Sequence, residues 1–144
     1  MFSCAIFGHS EYFYEEYKDK IEKRLAQLIK EYGVTDFYIG MRGNFDLLCL
    51  KILQEMKKNY PQVRCIRVWA YMPQGKRDEL GFEETVYLLE RNVPPLYAIV
   101  ETNKRMVEKA DYILSGVSHD WGGAWNAIEY AKKKGKKIIE LMEE

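Results

Sequence analysis

Glycine is coupled to polar side chains at three places in the chain: Gly8-His9-Ser10, Gly40-Met41-Arg42-Gly43-Asn44 with Asp46 close behind, and the stretch from Gly116 to Gly123. Glycine lets a ligand approach bare backbone, and a helix that starts just after it offers unpaired N–H groups and a positive dipole end. A phosphate or another anion suits such a place. On this reading the pair Gly122-Gly123 leaves room for an anionic group against the helix that follows. Any one of these loops is equally well explained as a tight turn.

The polar side chains admit ligand and structural roles alike. Arg42 can pair with a phosphate. Asp46 suits a ribose hydroxyl, and it equally favours a helix N-terminus. His9 and His119 can donate to a phosphate or act as general acids, yet a histidine after a strand also serves as a structural hydrogen-bonder. Trp121 and Trp125 bracket the glycine pair, where a ring either stacks on a base or packs against protein. Two histidines so far apart, with no carboxylate at ligand spacing, argue against a metal site. No GxGxxG, GxxxxGK[ST] or GxSxG is present, so dehydrogenase, P-loop and α/β-hydrolase readings lack a motif. Ser10 and Ser118 have no triad context.

The elements that must position these residues follow from periodicity. Phe2 to Phe7 is an apolar run closed by Gly8, suited to a strand buried on both faces. Apolar residues from Tyr14 to Tyr32 then recur at three- and four-residue spacing until Gly33, which predicts a helix. Val34 to Ile39 reads as a second strand, and Phe45 to Tyr60 as a second helix with Asn44 as N-cap and Pro61 beyond its end. Val63 to Tyr71 is a third strand. Residues 72–100 read as mostly irregular, with FEETVYLLERN able to form a short helix and VPPL as a break. A helix from Thr102 to Lys109, a strand from Asp111 to Val117, a helix from Ala124 to Lys134 and a strand from Lys137 to Leu141 complete the pattern. Alternation of this kind predicts a three-layer, Rossmann-like α/β domain with a mainly parallel sheet and helices on both faces. Ligands then bind beyond the carboxyl ends of the strands, and all three glycine loops fall at that edge. Together they point to ligand binding more strongly than any one alone.

At 144 residues the chain is the size of one domain, 1–144. Its 22 basic residues balance its 22 acidic ones, so no global field draws it to nucleic acid, and an anion site has to be local. The KKKGKK run is flanked by glutamates and reads as a solvated face. Three cysteines, an odd number without CxxC spacing, read as buried thiols in a reducing compartment. With no basic segment before its first apolar run and no long apolar stretch, the chain is expected to be cytoplasmic and free of the membrane. No cofactor is expected. A homodimer through helix faces is the expected assembly.

The segments IFGHS, IGMRGNFDLLCLKIL and NKRMVEKADYILSGVSHDWGGAWNAIEYAKKKGKKIIEL together resemble the SLOG superfamily, and most closely its YpsA-like branch. That branch carries TGHR, SGxALGVD, RNxxMVDxAD and GGTxNxIxYAxxxGKxII in the same order. Gly8 and His9 correspond to the first motif, and Gly40, Gly43 and Asp46 to the second. Lys104, Arg105, Met106 and Asp111 correspond to the third, with Arg105 near the RN pair, and Gly122, Gly123 and Asn126 to the fourth. The resemblance implies a Rossmann-like fold and a nucleotide or nucleotide-derived ligand held by these loops, in a sensor or regulatory module. Ser10 stands where the branch has arginine, Arg42 and Asn44 where it has small residues, and Trp125 is bulky, so the ligand need not be the branch's own.

The superfamily also contains the Lonely Guy phosphoribohydrolases, with a PGGxGTxxE loop. Glu129 stands seven residues after Gly122, the spacing of that motif's glutamate, although Pro is absent and Trp125 and Asn126 replace Gly and Thr. This similarity implies an alternative: hydrolysis of a nucleoside monophosphate at its N-glycosidic bond, with Glu129 stabilising an oxocarbenium-like ribose and Arg105 or Arg42 holding phosphate. A scaffold that keeps the fold without a ligand is the third reading.

Overall fold

A computed structural model describes residues 1–71, 80–90 and 93–142. In chain order its elements are β1 (Phe2–Gly8), a 3₁₀ turn (Glu15–Tyr17), α1 (Lys18–Lys30), β2 (Val34–Ile39), α2 (Asn44–Met56), β3 (Arg64–Trp69), β4 (Glu84–Tyr87), α3 (Pro95–Lys109), β5 (Tyr112–Gly116), α4 (Gly123–Lys133) and β6 (Lys137–Glu140).

Why β1 is apolar throughout follows from its place. It pairs in parallel with β2 on one side and with β5 on the other. Successive side chains of a strand point to opposite faces. Cys4 and Ile6 accordingly enter one core with Ile21, Leu25 and Leu28 of α1 and Phe45, Cys49 and Leu53 of α2. Ala5 and Phe7 enter a second core with Met106 and Val107 of α3 and Ala127, Ile128 and Ala131 of α4. Helices thus cover both faces of the sheet. All three cysteines are buried free thiols.

The six strands are all parallel, in the order β4-β3-β2-β1-β5-β6. The chain steps outward from β1 to β4, then crosses back to lay β5 against the other side of β1. Strand order therefore reverses between β1 and β5, which is where an open α/β sheet leaves a crevice at its carboxyl edge. Gly8 and Gly116, the last residues of these two strands, face each other across that switch point.

Three expectations need correction. Within FEETVYLLERN, Glu84–Tyr87 is an edge strand paired with β3, and not a helix; residues 91 and 92 of that segment, like 72–79, lie outside the described residues. Arg64 ties this edge together by pairing with Asp36 of β2 at 3.3 Å and Glu84 of β4 at 2.6 Å. The helix expected from Thr102 begins at Pro95, where the missing N–H of proline costs nothing because a first-turn N–H has no partner anyway. The N-cap of α2 is Gly43 in place of Asn44, and no side chain caps that end. Asn44 is the first helical residue, exposed, with its amide donating to the Tyr12 carbonyl at 3.4 Å. Among the described residues no helix is long and apolar enough to cross a membrane.

Candidate functional site

A cavity of about 430 Å³ lies over the switch point. Its walls come from the residues after β1 (Gly8 to Tyr12), the loop after β2 (Gly40, Arg42, Asp46), one face of α3 (Ile99, Asn103, Met106) and the residues leading into α4 (His119, Trp121 to Ala124). Four segments distant in sequence meet because parallel strands deliver all their following loops to one edge.

Its floor is shaped by Phe45. This side chain is fully buried beneath the ends of β1 and β5. A Cβ on Gly8 would lie 2.2 Å from the Phe45 ring, and one on Gly116 would lie 2.5 Å from it. Gly43 is bare for a similar reason, since a Cβ there would come within 2.2 Å of the Ser10 backbone. At Gly40 the neighbour is the Arg42 guanidinium, 2.9 Å away. These four glycines make room for the protein's own atoms.

Gly122 and Gly123 differ from them. Apart from the adjoining backbone, no heavy atom of the described residues lies within 4 Å of a Cβ built on either one, and both line the cavity. Gly122 has φ of 96°, a left-handed conformation that disfavours other residues. No side chain caps α4. The cavity therefore holds a helix N-terminus with free N–H groups and the positive end of the dipole.

His9 fixes the loop that leads there. Its Nε2 accepts from the Ser118 N–H at 2.9 Å and the His119 N–H at 3.3 Å. An accepting Nε2 puts the ring proton on Nδ1 and requires a neutral imidazole. Burial, reinforced by the neighbouring His119, lowers the His9 pKa to about 4, in keeping with that role. Its own N–H donates to the Tyr14 hydroxyl (2.9 Å), which donates to the Gly116 carbonyl (2.6 Å). Of its two expected roles, His9 fills the structural one. Its ring begins a stack: His119 lies 3.5 Å from it and Trp121 3.9 Å beyond, all nearly parallel, with Trp121 two-thirds exposed.

The opposite wall is polar. Arg42 donates through its guanidinium to Asn103 Oδ1, and through its backbone N–H to Asp46 Oδ2 at 3.0 Å. Burial pulls the Arg42 pKa below its ordinary value, and Asp46 pushes it back up. Asp46 is 9% exposed, and its Oδ1 is buried without a hydrogen-bond partner among the described residues. Burial raises the Asp46 pKa to about 6, offset in part by the Arg42 N–H and guanidinium and by the Met41 N–H. Met41 has φ of 54°, the one positive value at a non-glycine among the described residues, and it turns the loop so that Arg42 and Asp46 meet.

Among the expected site residues, Gly8, His9, Ser10, Gly40, Arg42, Asp46, Gly122 and Gly123 line the cavity. Gly43, Asn44, Arg105, Gly116, Trp125, Asn126 and Glu129 do not. Arg105 is half-exposed on α3 and pairs with Glu101 and Glu108. Asn126 is exposed on α4. Trp125 and Glu129 line a separate depression with Ser118, Lys132 and Glu140, and Glu129 pairs with Lys132 at 3.1 Å. Asn103 was missed, although a signal for it existed: counting back from Met106 through RNxxMVDxAD places the motif's asparagine on Asn103, with Arg105 at a variable position.

The fold is a three-layer, Rossmann-like α/β domain with a crevice over its β1/β5 switch point. The same architecture is found in DNA processing protein A (DprA) from Streptococcus pneumoniae, with a TM-score of 0.69 and 15% identity over 96% of this chain and 49% of that one. It is also found in the structural genomics target TM1055, with a TM-score of 0.63 and 14% identity over 96% of this chain and 72% of that one. The chain spans about half the length of the DprA chain. At such identity the likeness is one of fold alone. No family model and no curated protein matches the sequence.

Proposed function

We propose that the chain binds a nucleotide or nucleotide-derived small molecule in this cavity, as a sensor or regulatory module of the YpsA-like kind. One observation carries the reading: of the glycines at the sheet edge among the described residues, Gly122 and Gly123 alone have open space where a side chain would be, and they open a helix into the cavity. An anionic group set there meets backbone N–H donors without a Cβ in the way. The exposed face of Trp121, at the end of the histidine stack, gives a flat apolar surface for a ring. A hydrolase of the Lonely Guy type gains less support, because Glu129 belongs to the other depression.

The test is a melting-temperature series with AMP and related nucleotides, with released base assayed in the same samples. A ligand bound only to the native state raises Tm by mass action, by about 2.7 kcal/mol of stability at a hundredfold excess over Kd. A rise without base release supports the binder; no response to any nucleotide rejects it. The expected homodimer has the exposed side chains of Leu96, Tyr97 and Val100 on α3 as its contact surface, and a monomer in sedimentation equilibrium rejects it.

A further inference from the structure

The arginines on the outside of the fold are balanced by acids. Arg64 pairs with Asp36 and Glu84, and Arg105 with Glu101 and Glu108. Arg42 is different. It is partly buried in the cavity wall, yet among the described residues it forms no ion pair, and its guanidinium makes one hydrogen bond, to the neutral Asn103 Oδ1.

The two acidic residues of the cavity lining, Glu11 and Asp46, do not supply the missing partner. Asp46 takes the Arg42 backbone N–H, and its charge reaches the guanidinium only from beyond ion-pair range. What holds the guanidinium in place is neutral. Asn103 accepts one of its N–H groups, and it lies against the bare backbone of Gly40, where a Cβ would stand 2.9 Å from Nη2.

An arginine carries five N–H donors in a planar fork. Here Nε and Nη1 donate to no protein atom of the described residues, and neither is sealed off as Asp46 Oδ1 is. A cation drawn partly out of water without a counterion is costly, and two oxygens of one acidic group fit the donors of such a fork. The helix start does not by itself meet the charge of a phosphate. It offers roughly half a positive charge, whereas a phosphate monoester carries about −1.5 to −2 at neutral pH. Arg42 opens onto the same cavity and adds a full charge.

Resting on the nucleotide reading above, we infer that Arg42 is the counter-charge for the ligand's phosphate, and that it makes the site select phosphorylated nucleosides over unphosphorylated ones. Asn103 is its positioning residue.

Calorimetric titration of the full chain with AMP and with adenosine, which differ only in the phosphate, tests this. The wild type is expected to bind AMP about tenfold or more tightly, the scale of a hydrogen bond to a charged group. Arg42→Gln keeps a polar amide and removes the charge. It is expected to lose about tenfold or more in AMP affinity while adenosine affinity stays within about twofold. A variant that weakens both ligands equally, or neither, overturns the inference and leaves the nucleotide reading standing. So does a wild type that binds both equally. If the wild type binds neither, the nucleotide reading is rejected, and melting in sodium pyrophosphate against sodium chloride of equal ionic strength decides on Arg42. The wild type is then expected to gain more Tm than Arg42→Gln, and equal gains overturn the inference.

Discussion

The glycines at the ends of β1 and β5 and those at the start of α4 lie at the same sheet edge and do opposite work. Gly8 and Gly116 are bare so that Phe45 can fill the space beneath them; Gly122 and Gly123 are bare before open cavity. The first pair is part of the core, and its cost of substitution is steric. The second pair carries no packing, so the constraint that the fold itself places on it is the backbone conformation at Gly122. A glycine-rich loop is thus no single signal, and only the neighbours of the absent Cβ tell the two kinds apart.

The sharpest way to break this comparison is to add the missing carbon to the closed pair. Gly8→Ala puts a methyl 2.2 Å from a ring that is fully buried and cannot swing out. Overpacking of this kind costs about 1–3 kcal/mol. Urea denaturation is expected to show a loss in that range, with part of it recovered in Gly8→Ala/Phe45→Leu, since the two sites share one volume. A Gly8→Ala protein as stable as the wild type would mean that Phe45 does not hold that position.

Next in size are two pH effects that oppose each other on the two walls of the cavity. Asp46, raised to about 6, keeps its proton in the folded state over a range where the unfolded carboxyl gives it up. Its contribution therefore falls as pH rises from about 4 to 6. His9, lowered to about 4, refuses in the folded state a proton that the unfolded ring accepts below about 6.5. Its contribution falls as pH drops through the same window. Each slope is at most about 1.4 kcal/mol per pH unit, so the pair nearly cancels in the wild type. Asp46→Asn is expected to unmask a stability that rises with pH between 4 and 6, and His9→Gln one that falls. Chemical denaturation at several pH values reads both slopes, and the comparison between variants cancels carboxylates elsewhere. Parallel profiles in the two variants would reject the opposed burial of these groups.

How much of this was legible beforehand depended on whether the signal was local. Ile21, Leu25 and Leu28 sit at helical spacing and face one core, and Val34 to Ile39 is a largely apolar strand with Val34 and Phe37 to Ile39 buried, so their elements are readable from pattern alone. The edge strand Glu84–Tyr87 was not, because it is half-exposed, only four residues long and held by backbone pairing to β3, which leaves no periodic mark. The first two turns of α3 were hidden by Leu96, Tyr97 and Val100, apolar side chains on the outer face where a soluble helix usually carries polar ones. At the site, the three loops and their shared edge followed from the βα order. The contacts of Phe45 with Gly8 and Gly116, and of Arg42 with Asn103, join segments far apart in the chain, and no spacing rule reports them.

On the open pair the same carbon should do the reverse of what it does at Gly8. Gly123 is the first residue of α4, and no heavy atom lies within 4 Å of the point where a methyl group would sit. Gly123→Ala is expected to leave stability unchanged or raise it by up to about 1 kcal/mol, since alanine loses less entropy in a helix than glycine. The methyl would nonetheless stand where the anion is proposed to lie, so the Tm rise with AMP is expected to vanish. A variant that keeps the full Tm response would place the anion elsewhere and remove the functional meaning of the contrast.

The smallest expected effect belongs to Glu129. Its side chain is 43% exposed and paired, among the described residues, with Lys132 one turn along the helix, and exposed pairs of this kind contribute little. Glu129→Ala is therefore expected to change stability by less than about 0.5 kcal/mol and nucleotide affinity not at all. The depression it lines shares His119 with the main cavity but none of the Gly122-Gly123 surface. If wild-type protein releases adenine from AMP and Glu129→Ala abolishes that release, the ligand lies on the Glu129 side of α4, and the assignment of the larger cavity as the binding site falls with it.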